Sequence, residues 1–75
     1  MNRILIIDDD EDLCELVSEY LTVEGFETKA INDGKSGLET ALDEEPDLII
    51  LDVMLPKMNG FDVLRELRKS SQIPV

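Results

Sequence analysis

The chain has 75 residues, with 18 Asp and Glu against 7 Lys and Arg, a formal net charge of −11. That length allows one domain at most, burying about 60 % of its unfolded surface, and the acidic balance argues against gripping a phosphate backbone unaided. With no histidine and only one cysteine, Cys14, a histidine triad, an internal disulfide and a Cys/His zinc site are all excluded.

In chain order, Arg3–Ile7 is a short β-branched apolar run stopped abruptly by Asp8, the pattern of a strand buried on both faces in a parallel sheet. Asp9 or Asp10 can cap the helix that follows, with Glu11 and Asp12 in a first turn whose dipole favours anions. Leu13, Leu16, Val17, Tyr20 and Leu21 fall on one helical stripe, Tyr20 and Cys14 read as packing residues, and Gly25 is placed to end the helix. Phe26–Ile31 is a more polar, roughly alternating strand suited to a sheet edge.

Asn32-Asp33-Gly34 reads as a turn, and Lys35–Glu44 as a helix with Leu38, Ala41 and Leu42 inward, ended before Pro46. Leu48–Leu51 is a third strand, apolar throughout and again closed by an aspartate, Asp52. After the loop Val53–Asn59, Gly60 opens a third helix with Phe61, Leu64 and Leu67 on its inner face and Arg65, Arg68 and Lys69 outside. Ile73-Pro74-Val75 reads as the opening of a fourth strand. The order β-α-β-α-β-α-β predicts an α/β fold with a doubly wound parallel sheet, and the chain reads as truncated. Its longest apolar runs, four residues each, are far short of the roughly 20 that span a bilayer, and carboxylates follow the first where an export signal would continue. No membrane contact and a cytoplasmic location are expected, with which a lone thiol is compatible.

The carboxylates carry the chemistry. Asp8 and Asp9 follow one buried strand and Asp52 follows another, and ligands of open α/β sheets bind outside the carboxyl ends of the strands where strand order reverses. Three convergent carboxylates with no cation nearby in sequence call for a neutralising ion, and an all-oxygen donor set selects Mg²⁺ or another hard divalent cation. Asp8, Asp9 or Asp10 considered alone reads equally well as a helix cap. Asp8, Asp10, Asp12 and Glu19 also match positions 1, 3, 5 and 12 of a calcium-binding EF-hand loop, but Leu13 stands where that loop needs glycine. The four glycines match neither a P-loop nor a dinucleotide fingerprint.

Ile4-Leu5-Ile6-Ile7-Asp8-Asp9-Asp10, Pro46 through Pro56 with Asp52 at its strand end, and Asn59-Gly60 together resemble the receiver domain of bacterial two-component response regulators; Glu24-Gly25-Phe26 and Met54-Leu55-Pro56 lean towards the OmpR-like winged-helix class. The resemblance implies a flavodoxin-like (CheY-like) sheet of order 2-1-3-4-5, of which residues 1–75 would supply the first three-fifths, with the DNA-binding effector domain absent. It implies Asp52 as the phosphoacceptor, and Mg²⁺ held by Asp8, Asp9, Asp52 and the Met54 backbone carbonyl. The implied partners are a sensor histidine kinase as phosphodonor and DNA only through the absent domain, with control of transcription in the parent and no turnover enzyme activity beyond slow autodephosphorylation. The hydroxyl residue and lysine that family members carry on later strands are not in this sequence, and Lys57 does not sit at the lysine position. The alternatives are an acidic divalent-metal-binding domain without phosphotransfer, or a fragment whose main property is self-association through its exposed sheet edge, Ile73–Val75.

Overall fold

A computed structural model describes residues 2–75. Three parallel strands, β1 (Arg3–Ile7), β2 (Glu27–Ile31) and β3 (Leu48–Leu51), form one sheet in the order β2-β1-β3. The central strand is the most buried, with Ile4, Leu5, Ile6 and Ile7 all in the core. The expected 2-1-3 order, with the polar strand at the edge, is therefore what the chain adopts.

Each helix begins on an aspartate or asparagine that accepts a hydrogen bond from the backbone three residues on, satisfying a donor the first turn cannot pair. Asp10 caps α1 (Glu11–Val23) through Leu13 N–H, Asp33 caps α2 (Gly34–Glu44) through Ser36, and Asn59 caps α3 (Gly60–Arg68) through Asp62. Gly25, at φ 96°, takes the left-handed conformation that turns the chain from α1 towards β2.

Alternation along β1 divides the core in two. Leu5 and Ile7 pack with Ile49, Ala41 of α2, and Val63 and Leu67 of α3. Ile4 and Ile6, on the opposite face, pack with Cys14 of α1, joined by Val17, Leu21 and Phe26. The registers Ile4↔Leu48 and Ile6↔Ile50 put Leu48 and Ile50 on this second face, where both are exposed.

Three side-chain expectations change. In α1 the stripe is centred on Cys14, Val17 and Leu21, and Leu13, Leu16 and Tyr20 lie exposed on its flank, Tyr20 at 67 %. In α3 the inward positions are Val63 and Leu67, one turn apart, while Phe61 faces out at 65 %. In α2, Leu42 is exposed while Ala41 is fully buried. The fourth strand also does not form. Pro74 lies beside β3 and its carbonyl accepts from Ile49 N–H at 2.9 Å, but residues 73–75 make no strand, since a proline has no N–H to continue the ladder.

Candidate functional site

The register sets the site. Ile7 pairs with Leu51, so the first residues past each strand, Asp8 and Asp52, emerge side by side at the carboxyl end of the sheet. Asp52 N–H donates to the Ile7 carbonyl at 2.9 Å and Asp8 N–H to the Ile31 carbonyl at 3.1 Å, which carries the backbone pairing one residue beyond the strands. Asp9 follows in the turn leading to α1. Asp8, Asp9 and Asp52 each offer a carboxylate oxygen, and the three oxygens lie within 4.8 Å of one another. Asp8 and Asp52 are half-buried and Asp9 is exposed.

Charge is concentrated here without internal compensation. Among the described residues the ion pairs are Lys29–Glu44, Arg65–Asp62 and Lys69–Glu66, none of them at this cluster. The Asp8 carboxyl is pushed above its ordinary 3.8, first by burial and then by the charges of Asp52, Asp9 and Asp10; the Asp10 N–H, which donates to Asp8 Oδ1 at 2.9 Å, opposes the rise. Asp10 itself turns away to cap α1 and is no member of the cluster.

The β3–α3 loop is fitted tightly around Asp52. Met54 N–H donates to Asp52 Oδ1 at 3.0 Å, while the Met54 side chain is exposed. Gly60 N–H donates to the Val53 carbonyl at 3.1 Å. A Cβ at position 60 would overlap the Asp52 carbonyl oxygen and come within 2.6 Å of Val53 Cα, so only glycine lets α3 start against the end of β3. Lys57, at φ 65° in the same loop, helps lower the Asp33 carboxyl, whose main cause is its hydrogen bond from Ser36.

Two further residues meet the site from below. The buried Cys14 thiol donates to the Asp8 carbonyl at 3.5 Å and is pushed up by burial and by Asp8, Asp10 and Glu11, which keeps it protonated and in a packing role. Asn32 Nδ2 donates to the same carbonyl at 2.9 Å. The sequence gives no local sign of Asn32's position, because only the β1–β2 register brings it to Asp8.

A model of the response regulator receiver domain matches residues 4–75, almost the whole chain. The chain belongs to the response regulator receiver domain family. It is 49 % identical to the transcriptional regulatory protein CpxR of Klebsiella pneumoniae over all 75 residues, which are 32 % of that protein. It is 48 % identical to the DNA-binding response regulator MtrA of Mycolicibacterium smegmatis over 97 % of this chain and 32 % of that one. This receiver domain chain thus spans about a third of the length of the curated relatives it matches. Among solved structures, the response regulator TrrA of Thermotoga maritima, in complex with Mg²⁺-BeF, superposes at a TM-score of 0.90 with 37 % identity, over 95 % of this chain and 62 % of that one. No helix among the described residues of the receiver domain is long and apolar enough to cross a membrane.

Proposed function

We propose that this receiver domain accepts a phosphoryl group on Asp52, with Mg²⁺ held by Asp8, Asp9, Asp52 and the backbone carbonyl of Met54. The observation that carries the reading is the convergence of three carboxylates from two strand ends within 4.8 Å, with no cation among them. The donor set fits a hard ion, and oxygens bound to one Mg²⁺ lie about 3–4 Å apart, slightly closer than that limit. When bound, the ion neutralises the carboxylates and polarises phosphoryl oxygens, removing like-charge repulsion between nucleophile and donor.

The chain's own residues supply position. Met54 N–H holds Asp52 Oδ1, and among the described residues no hydrogen bond engages Oδ2, which is left as the nucleophile. Its lone pair forms a new bond to phosphorus as the P–N bond of a phosphohistidine donor breaks; the imidazole leaves with that electron pair, and Asp52 becomes an acyl phosphate. In-line attack requires a fixed carboxylate, and the Gly60 contact and the Ile7 hydrogen bond hold the Asp52 backbone still. The donor is a histidine kinase and the setting the cytoplasm; the names of the CpxR and MtrA relatives support a role in transcription through a DNA-binding domain beyond the matched third.

Incubation with acetyl phosphate and Mg²⁺, followed by reductive trapping of the acyl phosphate and peptide mapping, is expected to place the label on Asp52. Asp52→Asn should remove it, and chelation of Mg²⁺ should suppress it. Label on Asp8 or Asp9, or none on a folded sample, overturns the assignment.

A further inference from the structure

We infer that Asn32 is a positioning residue for the metal site: by holding the Asp8 carbonyl it fixes the Asp8–Asp9 peptide and so aims the Asp9 carboxylate at the divalent cation. This rests on the metal reading above and extends it to a residue of another strand.

Asn32 is the first residue beyond β2, and the pairing Ile7↔Ile31 brings it level with Asp8. Its Nδ2 donates to the Asp8 carbonyl at 2.9 Å and lies 3.7 Å from Cys14 Sγ, which donates to the same oxygen at 3.5 Å. A carbonyl can only accept, so the amide's nitrogen end faces it. One carbonyl therefore takes two side-chain donors, from the end of β2 and from α1, neither belonging to its own turn.

That carbonyl is half of the peptide unit whose nitrogen belongs to Asp9. A peptide is a rigid plane, so holding its oxygen sets the direction in which the chain leaves for the Asp9 Cα. Among the described residues the Asp9 carboxylate accepts no hydrogen bond, so what the fold fixes is the place of its Cα and the direction of its Cα–Cβ bond, and the backbone sets both. Asp8, Asp9, Asp10 and Asp52 repel one another, which favours rotation of this peptide and dispersal of the charges. The Asn32 amide, the shorter of the two donors, opposes that rotation without adding charge. Groups that orient metal ligands in this way commonly change metal affinity by about 10–100-fold.

The test is calorimetric Mg²⁺ titration of the protein and of Asn32→Ala, Asn32→Leu and Asn32→Gln, with Asp9→Asn as reference. Asn32→Ala and the similarly sized Asn32→Leu should bind Mg²⁺ about tenfold more weakly, and Asn32→Gln, which keeps an amide donor, should recover part of the loss. The Asp9 backbone amide resonance should shift in both donor-less variants before metal is added while the Ile49 amide stays in place, a pattern that general destabilisation does not produce. Wild-type affinity in a folded Asn32→Ala or Asn32→Leu sample overturns the inference, and if Asp9→Asn still abolishes binding, the metal site itself stands. Should Asp9→Asn bind as well as wild type, or wild type bind no Mg²⁺, the metal reading fails and this inference falls with it.

Discussion

At the N-terminal end of the strands the acids find partners within the chain: Lys29 pairs with Glu44 at 2.6 Å, and the Arg3 backbone N–H donates to Asp47 at 2.7 Å. The Arg3 guanidinium also reaches the carbonyls of Glu44 and Glu45, at 2.7 and 2.9 Å, where α2 ends in a left-handed residue with orphan acceptors. At the C-terminal end, Asp8, Asp9 and Asp52 have no such partner among the described residues. Both ends are acidic, and the difference is who supplies the cation. Where the chain supplies its own, the acids are partnered within the fold; where it does not, the repulsion is what the proposed divalent ion would relieve.

The strongest way to break this comparison is to add the missing cation. At a free Mg²⁺ concentration of about one hundred times its dissociation constant, wild type should gain roughly 2.7 kcal/mol of unfolding free energy, and Asp9→Asn should gain almost none. Denaturant unfolding with and without Mg²⁺ reads the difference, and equal gains in the two proteins would mean that the ion acts elsewhere. The opposite end should respond to the removal of a base. Arg3→Ala is expected to cost about 1 kcal/mol, because it strips donors from an exposed helix end, and Lys29→Ala about 0.5 kcal/mol or less, as for other solvent-exposed pairs. Both should leave Mg²⁺ affinity unchanged, and loss of affinity in either would show that the two ends are not independent.

The smallest effect is the pH dependence. The raised Asp8 pKa means that the folded state holds this proton more tightly than the unfolded state, so its contribution is present below about 3.8 and is lost as pH rises through the raised value. The lowered Asp33 pKa acts in reverse, its contribution present above 3.8 and lost as pH falls through the depressed value. Metal-free Asp8→Asn should therefore gain on wild type as pH rises from 3.8 towards neutrality, read as the difference in urea midpoints. A gap that does not change with pH would show that ionisation of Asp8 is not what the variant relieves.

Much of this was legible because the signals are local. The apolar runs Ile4–Ile7 and Leu48–Leu51 each end on aspartate, and strand alternation leaves little choice about where Asp8 and Asp52 emerge. Of the three caps only Asp10 is legible as one; Asp33 sits in a segment that reads as a turn and Asn59 in one that reads as a loop, yet they cap α2 and α3, and α2 starts one residue earlier than expected, at Gly34. Helix facing was less legible. A stripe containing Leu13, Leu16, Val17, Tyr20 and Leu21 is wide enough to be centred in more than one way, and contact with Ile4 and Ile6 decides for Cys14, Val17 and Leu21. In α3, likewise, the small Val63 goes inward to join Leu5, Ile7 and Ile49, and the larger Phe61 lies outside. Asn32 carried no local signal at all: its partner is 24 positions away, and only strand register joins them.

The crowding at Gly60 has a mechanical consequence. With no room for even a methyl group between the start of α3 and the backbone of Asp52 and Val53, there is no slack in the joint between strand and helix. A load applied to the backbone at position 52 would bear directly on the first turn of α3, and over a nine-residue helix a small tilt at the root would be a larger sweep at the far end. The contact that forbids a side chain at residue 60 thus gives α3 the geometry of a lever whose fulcrum lies beside the carboxylate site.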